Sequence, residues 1–177
     1  FVRCVIQEGH ILMSLIAGKA FVFGDHVDTD ILAPGIYMKD SIDIIASDCL
    51  ESLDPSFATT IKPGDIVVAG AGLGIGSSRE QAAEALKYLG AGALIAKSYG
   101  GIFYRNALNF GLPALVCADT GRIRAGDQLR VDAAAGHIDN LTRAERYTVD
   151  PLPDFLLRMI ADGGLVAHLE KRFAVAG

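Results

Sequence analysis

The segment Gly70-Ala71-Gly72-Leu73-Gly74-Ile75-Gly76-Ser77-Ser78-Arg79-Glu80 constrains this chain more than any other stretch. It follows the short apolar run Ile66 to Val68 and precedes Arg79 to Leu89, where Ala82, Ala83, Leu86 and Leu89 recur at helical spacing before Gly90. Strand, glycine loop, helix is the order of an α/β unit. Four glycines let the main chain approach a neighbour or a ligand closely, at the point where a helix opens and its first N–H groups are free.

The same order repeats. Ala93 to Ala96 reads as a strand, Ile102 to Asn109 as a helix with Phe103, Ala107 and Phe110 in step, and Pro113 to Cys117 as the next strand. Upstream, a strand over Ala20 to Phe23 gives way to the acidic loop Gly24 to Asp30, the turn Pro34-Gly35 and a helix within Ser41 to Leu53. The alternation predicts the α/β class with parallel pairing. Gln128 to Val131 and Arg146 to Val149 read as short strands around a turn-rich Ala135 to Asn140, an antiparallel addition. Pro153 to Ala161 reads as an amphipathic helix closed by Gly163-Gly164. Residues 1–12 read as an N-terminal extension or added segment, with an edge strand over Phe1 to Ile6 as the other reading. Residues 13–177, opening on Met13, read as a single domain.

Composition narrows the function classes. The formal charge of −5 comes with no basic block, which argues against a nucleic-acid partner. Uncharged stretches such as Ile66 to Ser78 fall short of the roughly 20 apolar residues that a membrane span needs, so no membrane partner is expected. Ile11 to Ala17 suits a soluble strand better than a signal core, which points to the cytoplasm. A hydrophobic share of 51% with twenty glycines implies a surface partly built to be covered by another chain. Cys4, Cys49 and Cys117 are widely spaced and odd in number, as for thiols in a reducing compartment. An iron–sulfur cluster takes about three or four thiolates, and nothing in their spacing offers such a set.

The chemistry concentrates in two places. The glycine segment fits neither G-x-G-x-x-G, nor the P-loop, nor G-x-S-x-G. What it offers is two hydroxyls, Ser77 and Ser78, and the guanidinium of Arg79 at a helix start, where a carboxylate or a developing oxyanion is favoured. The plainer alternative is that Ser77 or Ser78 caps the helix, with Glu80 or Gln81 completing a capping box. The second place is Asp28-Thr29-Asp30, following Asp25 and His26. Its carboxylates suit either a divalent cation or Asx turns, and no spacing supports a metal site. His10, His26, His137 and His168 form no i, i+4 pair.

Four motifs together resemble a known family. Asp28-Thr29-Asp30-Ile31-Leu32-Ala33-Pro34, Gly76-Ser77-Ser78-Arg79-Glu80, Ala96-Lys97-Ser98-Tyr99 and Ile102-Phe103-Tyr104-Arg105-Asn106 with Asn109-Phe110-Gly111-Leu112-Pro113 are similar, in order and spacing, to the small subunits of 3-isopropylmalate dehydratase, the swivelling domain of the aconitase superfamily. The resemblance spans about Gly18 to Arg172. It implies a three-layer β/β/α swivelling domain that docks on a large subunit bearing a [4Fe–4S] cluster, with no cofactor and no metal ligand in this chain.

The resemblance also implies site roles. Ser77 would be the catalytic base and Asp30 a second catalytic residue, orienting a histidine of the large subunit. Arg79 would hold a carboxylate of a 2-hydroxy dicarboxylate substrate, with Ser78 adding a hydrogen bond. The loop Gly35-Ile36-Tyr37-Met38-Lys39 would read the group that distinguishes one malate from another. Aconitase-like relatives present an arginine there for a third carboxylate. Apolar Ile36, Tyr37 and Met38 suit a branched alkyl group instead, beside Lys39. Relatives often carry histidine where this chain has Gln81. The implied activity is the isomerisation of 2-isopropylmalate to 3-isopropylmalate in leucine biosynthesis. The alternatives are a paralogue for dimethylmalate, methylmalate or a homoaconitate-type acid, or a carboxylate-binding module without turnover.

Overall fold

The computed structural model describes residues 5–7, 10–12, 15–37 and 39–174, the first two segments as backbone. Those two, β1 (Val5–Gln7) and β2 (His10–Leu12), pair antiparallel with each other in a two-stranded sheet of their own. Met38 lies outside the described residues, and so do the side chains of the N-terminal segment.

The domain is organised around β3 (Ile16–Val22), which works as two half-strands. Its Ala20–Val22 half pairs parallel with β4 (Ile66–Ala69), and its Ile16–Lys19 half pairs antiparallel with β7 (Gln128–Asp132). From β4 the parallel side extends through β5 (Ala93–Ala96) to β6 (Ala114–Val116). From β7 the antiparallel side extends through β8 (His137–Asn140) to β9 (Glu145–Thr148). One mixed seven-stranded sheet results, ordered β6-β5-β4-β3-β7-β8-β9.

Between β3 and β4 lie the single turn α1 (Thr29–Leu32), α2 (Ile42–Ser47) and α3 (Phe57–Thr60). Then α4 (Glu80–Tyr88) joins β4 to β5, and α5 (Gly101–Asn109) joins β5 to β6. Strand alternation sorts the core into two layers. Phe21, Val67, Ala69, Leu94 and Ala96 face the helices, meeting Ala46, Ala82, Leu86, Phe103 and Ala107. The alternate residues Ala20, Ile66, Val68, Ile95 and Leu115 face the other way. There they share a core with Leu129, Val131, Ile138 and Tyr147 of the antiparallel ribbon and with Leu157 and Ile160 of α6 (Asp154–Ala161). The sheet therefore curls so that its antiparallel half backs its parallel half, which is the β/β/α layering that the family resemblance implies. Strands β4 and β5 are buried at every position, so they read as unbroken apolar runs rather than as alternation.

Two stretches depart from the sequence reading. The turn-rich region ends in a real strand, β8, because Asp139 is held between Arg130 (2.8 Å) and Arg146 (2.6 Å), and Asn140 donates to Asp127 (2.7 Å). Partners on the neighbouring strands and loop satisfy these buried polar groups, and propensity is overridden. Gly163-Gly164 closes α6 as expected, but a further helix lies beyond it. Both glycines have positive φ, and α7 (Leu165–Ala174) follows, tied to α6 by Asp162 with His168 and Lys171, each at 2.6 Å.

Candidate functional site

The loops that leave β3 and β4 run side by side past the strand ends. Phe23 donates to the Val68 carbonyl (2.8 Å), His26 to Ala71 (2.7 Å), Gly74 to Val27 (2.7 Å) and Thr29 to Ile75 (2.9 Å). On its other edge the glycine segment is clamped by the Lys97-Ser98-Tyr99 motif. Gly72 donates to Ser98 Oγ (2.9 Å), Leu73 to the Ser98 carbonyl (3.0 Å), and Gly100 donates back to Leu73 (2.8 Å). Gly74, at φ +72°, sits so close to Phe103 that a Cβ would clash with the ring. The glycines thus thin the loop enough to lie between the acidic loop and the start of α5. Tyr99 anchors the clamp by donating to Leu115 (2.9 Å), and burial pushes its phenol well above the usual range, so it stays a donor.

The thinned loop presents Ser77 and Ser78, both exposed, at its tip. Neither caps the helix: the N-cap of α4 is Arg79, which makes no side-chain cap bond. This corrects the capping-box alternative, and it moves Ser77 to three residues ahead of the first helical position, Glu80. The N–H groups of Ser78, Glu80 and Gln81 have no acceptor among the described residues. They are free to face an anion beside the Ser77 hydroxyl. Arg79 turns back across the loop, and its Nη1 donates both to Asp30 Oδ1 and to the Ala33 carbonyl, the latter at 3.0 Å. Asp30, 49 residues away in sequence, is thereby brought to the Ser77-Ser78-Arg79 tip.

Asp30 reaches Arg79 because α1 is a helical turn rather than an irregular loop. Asp28 is its N-cap, accepting from the Ile31 N–H at 2.9 Å, and Asp25 accepts from Ala71 at 2.7 Å. The acidic loop therefore uses its carboxylates singly, two on backbone and one on Arg79. Among the described residues no three His, Cys, Asp or Glu side chains converge. Cys49 lies in the helix-side core and Cys117 in the opposite one, both raised above the ordinary thiol range by burial. These two thiols do not fit as ligands of a shared cluster.

Gly35 packs against the Arg79–Asp30 pair, and a short 3-10 turn, Gly35–Tyr37, follows. Ile36, next to Gly35 in that turn, is 80% exposed, while Tyr37 leans on the helix-side core. Of the three residues expected to read the substrate, Ile36 alone is both described and freely presented. Thr29, the Ala33 carbonyl and Gly35 have parts in this geometry that sequence reasoning missed. Only their adjacency to Asp30 and Pro34 hinted at it.

The aconitase C-terminal domain model matches residues 29–120, which include Thr29, Asp30, Gly35, Ser77, Ser78 and Arg79. A 3-isopropylmalate dehydratase small subunit of Archaeoglobus fulgidus is 49% identical over 84% of this chain and 93% of its own length. The crystal structure of 3-isopropylmalate dehydratase from Methanocaldococcus jannaschii superposes with a TM-score of 0.86 at 39% identity, covering 92% of this chain and 97% of that one. The chain belongs to the 3-isopropylmalate dehydratase small-subunit family of the aconitase superfamily. A homoaconitase small subunit of Methanothermobacter thermautotrophicus is also 45% identical, over 89% of this chain and 92% of its own length, so small subunits named for different substrates share this scaffold. Within the 3-isopropylmalate dehydratase small-subunit family the layering described above is the swivelling-domain fold.

Proposed function

We propose that this chain is the small subunit of a cytoplasmic hydro-lyase that isomerises 2-isopropylmalate to 3-isopropylmalate, by dehydration and rehydration, in leucine biosynthesis. The observation that carries the reading is the joint presentation of the Ser77 hydroxyl and the fixed Arg79 guanidinium on one exposed loop. Arg79 is a bidentate carboxylate anchor already held in position, so little side-chain entropy is lost when the acid binds. Ser77 takes the proton from the carbon next to the anchored carboxylate. The N–H groups of Ser78, Glu80 and Gln81 stabilise the alkoxide that this needs, and removing one such donor typically costs about 10²- to 10³-fold in rate. Hydroxide leaves the neighbouring carbon, and readdition in the opposite sense gives the isomer.

The site as this chain presents it is half of one. Asp30 is 64% exposed, and Ser77, Ser78 and Ile36 face solvent. A serine cannot act as a base in open water, so a second surface must close the site and exclude solvent. We assign that surface to the large subunit, whose [4Fe–4S] cluster would supply a Lewis acid for departure of the hydroxyl; among the described residues, Cys49 and Cys117 are buried in opposite cores and do not fit as its ligands. No helix among the described residues is long and apolar enough to cross a membrane.

The name of the Methanothermobacter relative favours a second reading, in which the acid is of the homoaconitate type. Ile36 argues for the branched alkyl group, since it offers an exposed apolar side chain one residue from Gly35, which packs on the Arg79 anchor. The discriminating experiment is turnover by the chain reconstituted with its large subunit on 2-isopropylmalate, dimethylmalate, methylmalate and a homoaconitate-type tricarboxylate. Preference for isopropylmalate supports the reading and preference for the tricarboxylate overturns it. A chain that pairs and binds these acids but turns over none of them is a binding module.

A further inference from the structure

We infer that Thr29 is a positioning residue for Ser77, resting on the reading of Ser77 as the base. Thr29 Oγ1 accepts the Ser77 N–H at 3.0 Å across 48 residues of sequence. Its own N–H donates to Ile75 (2.9 Å), and its carbonyl accepts from Ala33 (2.9 Å). The two bonds to Ile75 and Ser77 bracket Gly76, so the main chain on both sides of that glycine is fixed to one residue. Gly76 has φ +106°, and a Cβ on it would sit 3.1 Å from Thr29 Oγ1, so the glycine keeps the space in which the hydroxyl lies.

Burial strengthens the assignment. Thr29 is only 1% exposed, and Leu32 and Ala33, of the same turn and its C-cap, belong to the helix-side core. A hydroxyl is tolerated there because it is bonded; valine would fill the same volume at no polar cost. The bond goes to the main chain of an exposed tip rather than to a core element. Its effect is therefore to define where the Ser77 Cα, and hence Oγ, stands relative to Arg79. Arg79 is held separately, by Asp30 and Ala33 of the same short helix and its C-cap. One turn, α1, thus sets the base through Thr29 and the carboxylate anchor through Asp30, and the two settings are separable by mutation.

The test compares Thr29→Val and Thr29→Ser in the complex with the large subunit. Misplacing a reacting group by an ångström costs up to about 10²-fold, so Thr29→Val is expected to lower kcat about 10- to 100-fold while KM for 2-isopropylmalate stays within about threefold. Thr29→Ser keeps the acceptor and is expected to recover most of kcat. Hydrogen exchange of the Ser77 amide in the full chain gives a readout independent of turnover, accelerating in Thr29→Val and not in Thr29→Ser. Unchanged kcat in Thr29→Val, a Thr29→Ser variant no better than Thr29→Val, or a loss matched by weaker pairing with the large subunit would overturn the inference. A wild-type complex inert on every acid tried would instead remove the dehydratase reading. The Ser77 amide then decides the positioning role alone: faster exchange in Thr29→Val upholds it, and unchanged exchange overturns it.

Discussion

Arg79 and Asp30 meet across 49 residues of sequence, and the guanidinium nitrogen that reaches Asp30 also reaches the Ala33 carbonyl. Asp30 therefore orients a residue of its own chain. The family resemblance implies a further partner for Asp30, a histidine of the large subunit, and 64% of the Asp30 side chain is exposed. If the pairing positions Arg79, the effects of Asp30→Asn and Arg79→Lys on kcat/KM will not add. Arg79→Lys should cost about 10- to 100-fold, mostly in KM, because a point charge replaces the fork. Asp30→Asn should cost less in the Arg79→Lys background than it does alone. Strict additivity would show that the two act independently.

Gly35 guards the open side of the anchor. A Cβ there would stand 3.2 Å from Arg79 Nη2, the nitrogen that neither Asp30 nor Ala33 occupies. Gly35→Ala is expected to raise KM for the acid about 3- to 10-fold with kcat nearly unchanged, since it obstructs binding without touching Ser77. Steady-state kinetics of the complex will check this.

Gly74 tests whether the loop's thinness is structural. Both its φ of +72° and the Phe103 ring exclude a side chain. Gly74→Ala should lower Tm by several degrees, about 2–4 °C for each kcal/mol lost in a chain of this size, and should reduce turnover as the tip shifts. A scanning calorimetry trace superposable on wild type would contradict the packing described for the loop.

Asp139 should shape the acid limb of the stability curve. Hydrogen bonds from Arg146 and then from Arg130 hold its carboxyl well below the usual carboxylate range. A depressed folded pKa adds stability that is fully present above the unfolded value of about 3.9 and is lost as pH falls through that value toward the folded one. Asp139→Asn should therefore lower Tm at neutral pH, roughly 2–8 °C, and flatten the decline of Tm between about pH 4 and pH 2. Parallel Tm profiles for the two proteins would rule this out.

The parallel half of the fold was legible because burial on both faces leaves apolar runs between glycine and proline punctuation: the β5 boundaries read from sequence coincide with those in the structure. Strand β8 was not legible, since Asp139 and Asn140 suit a strand only once Arg130, Arg146 and Asp127 surround them. Helix α7 is hidden behind Gly163-Gly164, which marks a helix end, because the clasp of Asp162 on His168 and Lys171 has no local sequence pattern. At the site, Ser77, Ser78 and Arg79 were marked by the glycines ahead of them. Thr29 carried no such mark, because a buried threonine is told from a solvent-facing one by its partner and not by its neighbours in sequence.

The most direct test is turnover of 2-isopropylmalate by the complex carrying Ser77→Ala. Ser77 is exposed and its hydroxyl bonds to nothing among the described residues, so its removal should leave Tm and pairing with the large subunit unchanged. Loss of a general base predicts a fall in kcat of about 10²- to 10⁴-fold with KM little altered. Turnover within a few-fold of wild type would contradict the assignment of Ser77 as the base, and with it the mechanism built on the Ser77–Arg79 loop.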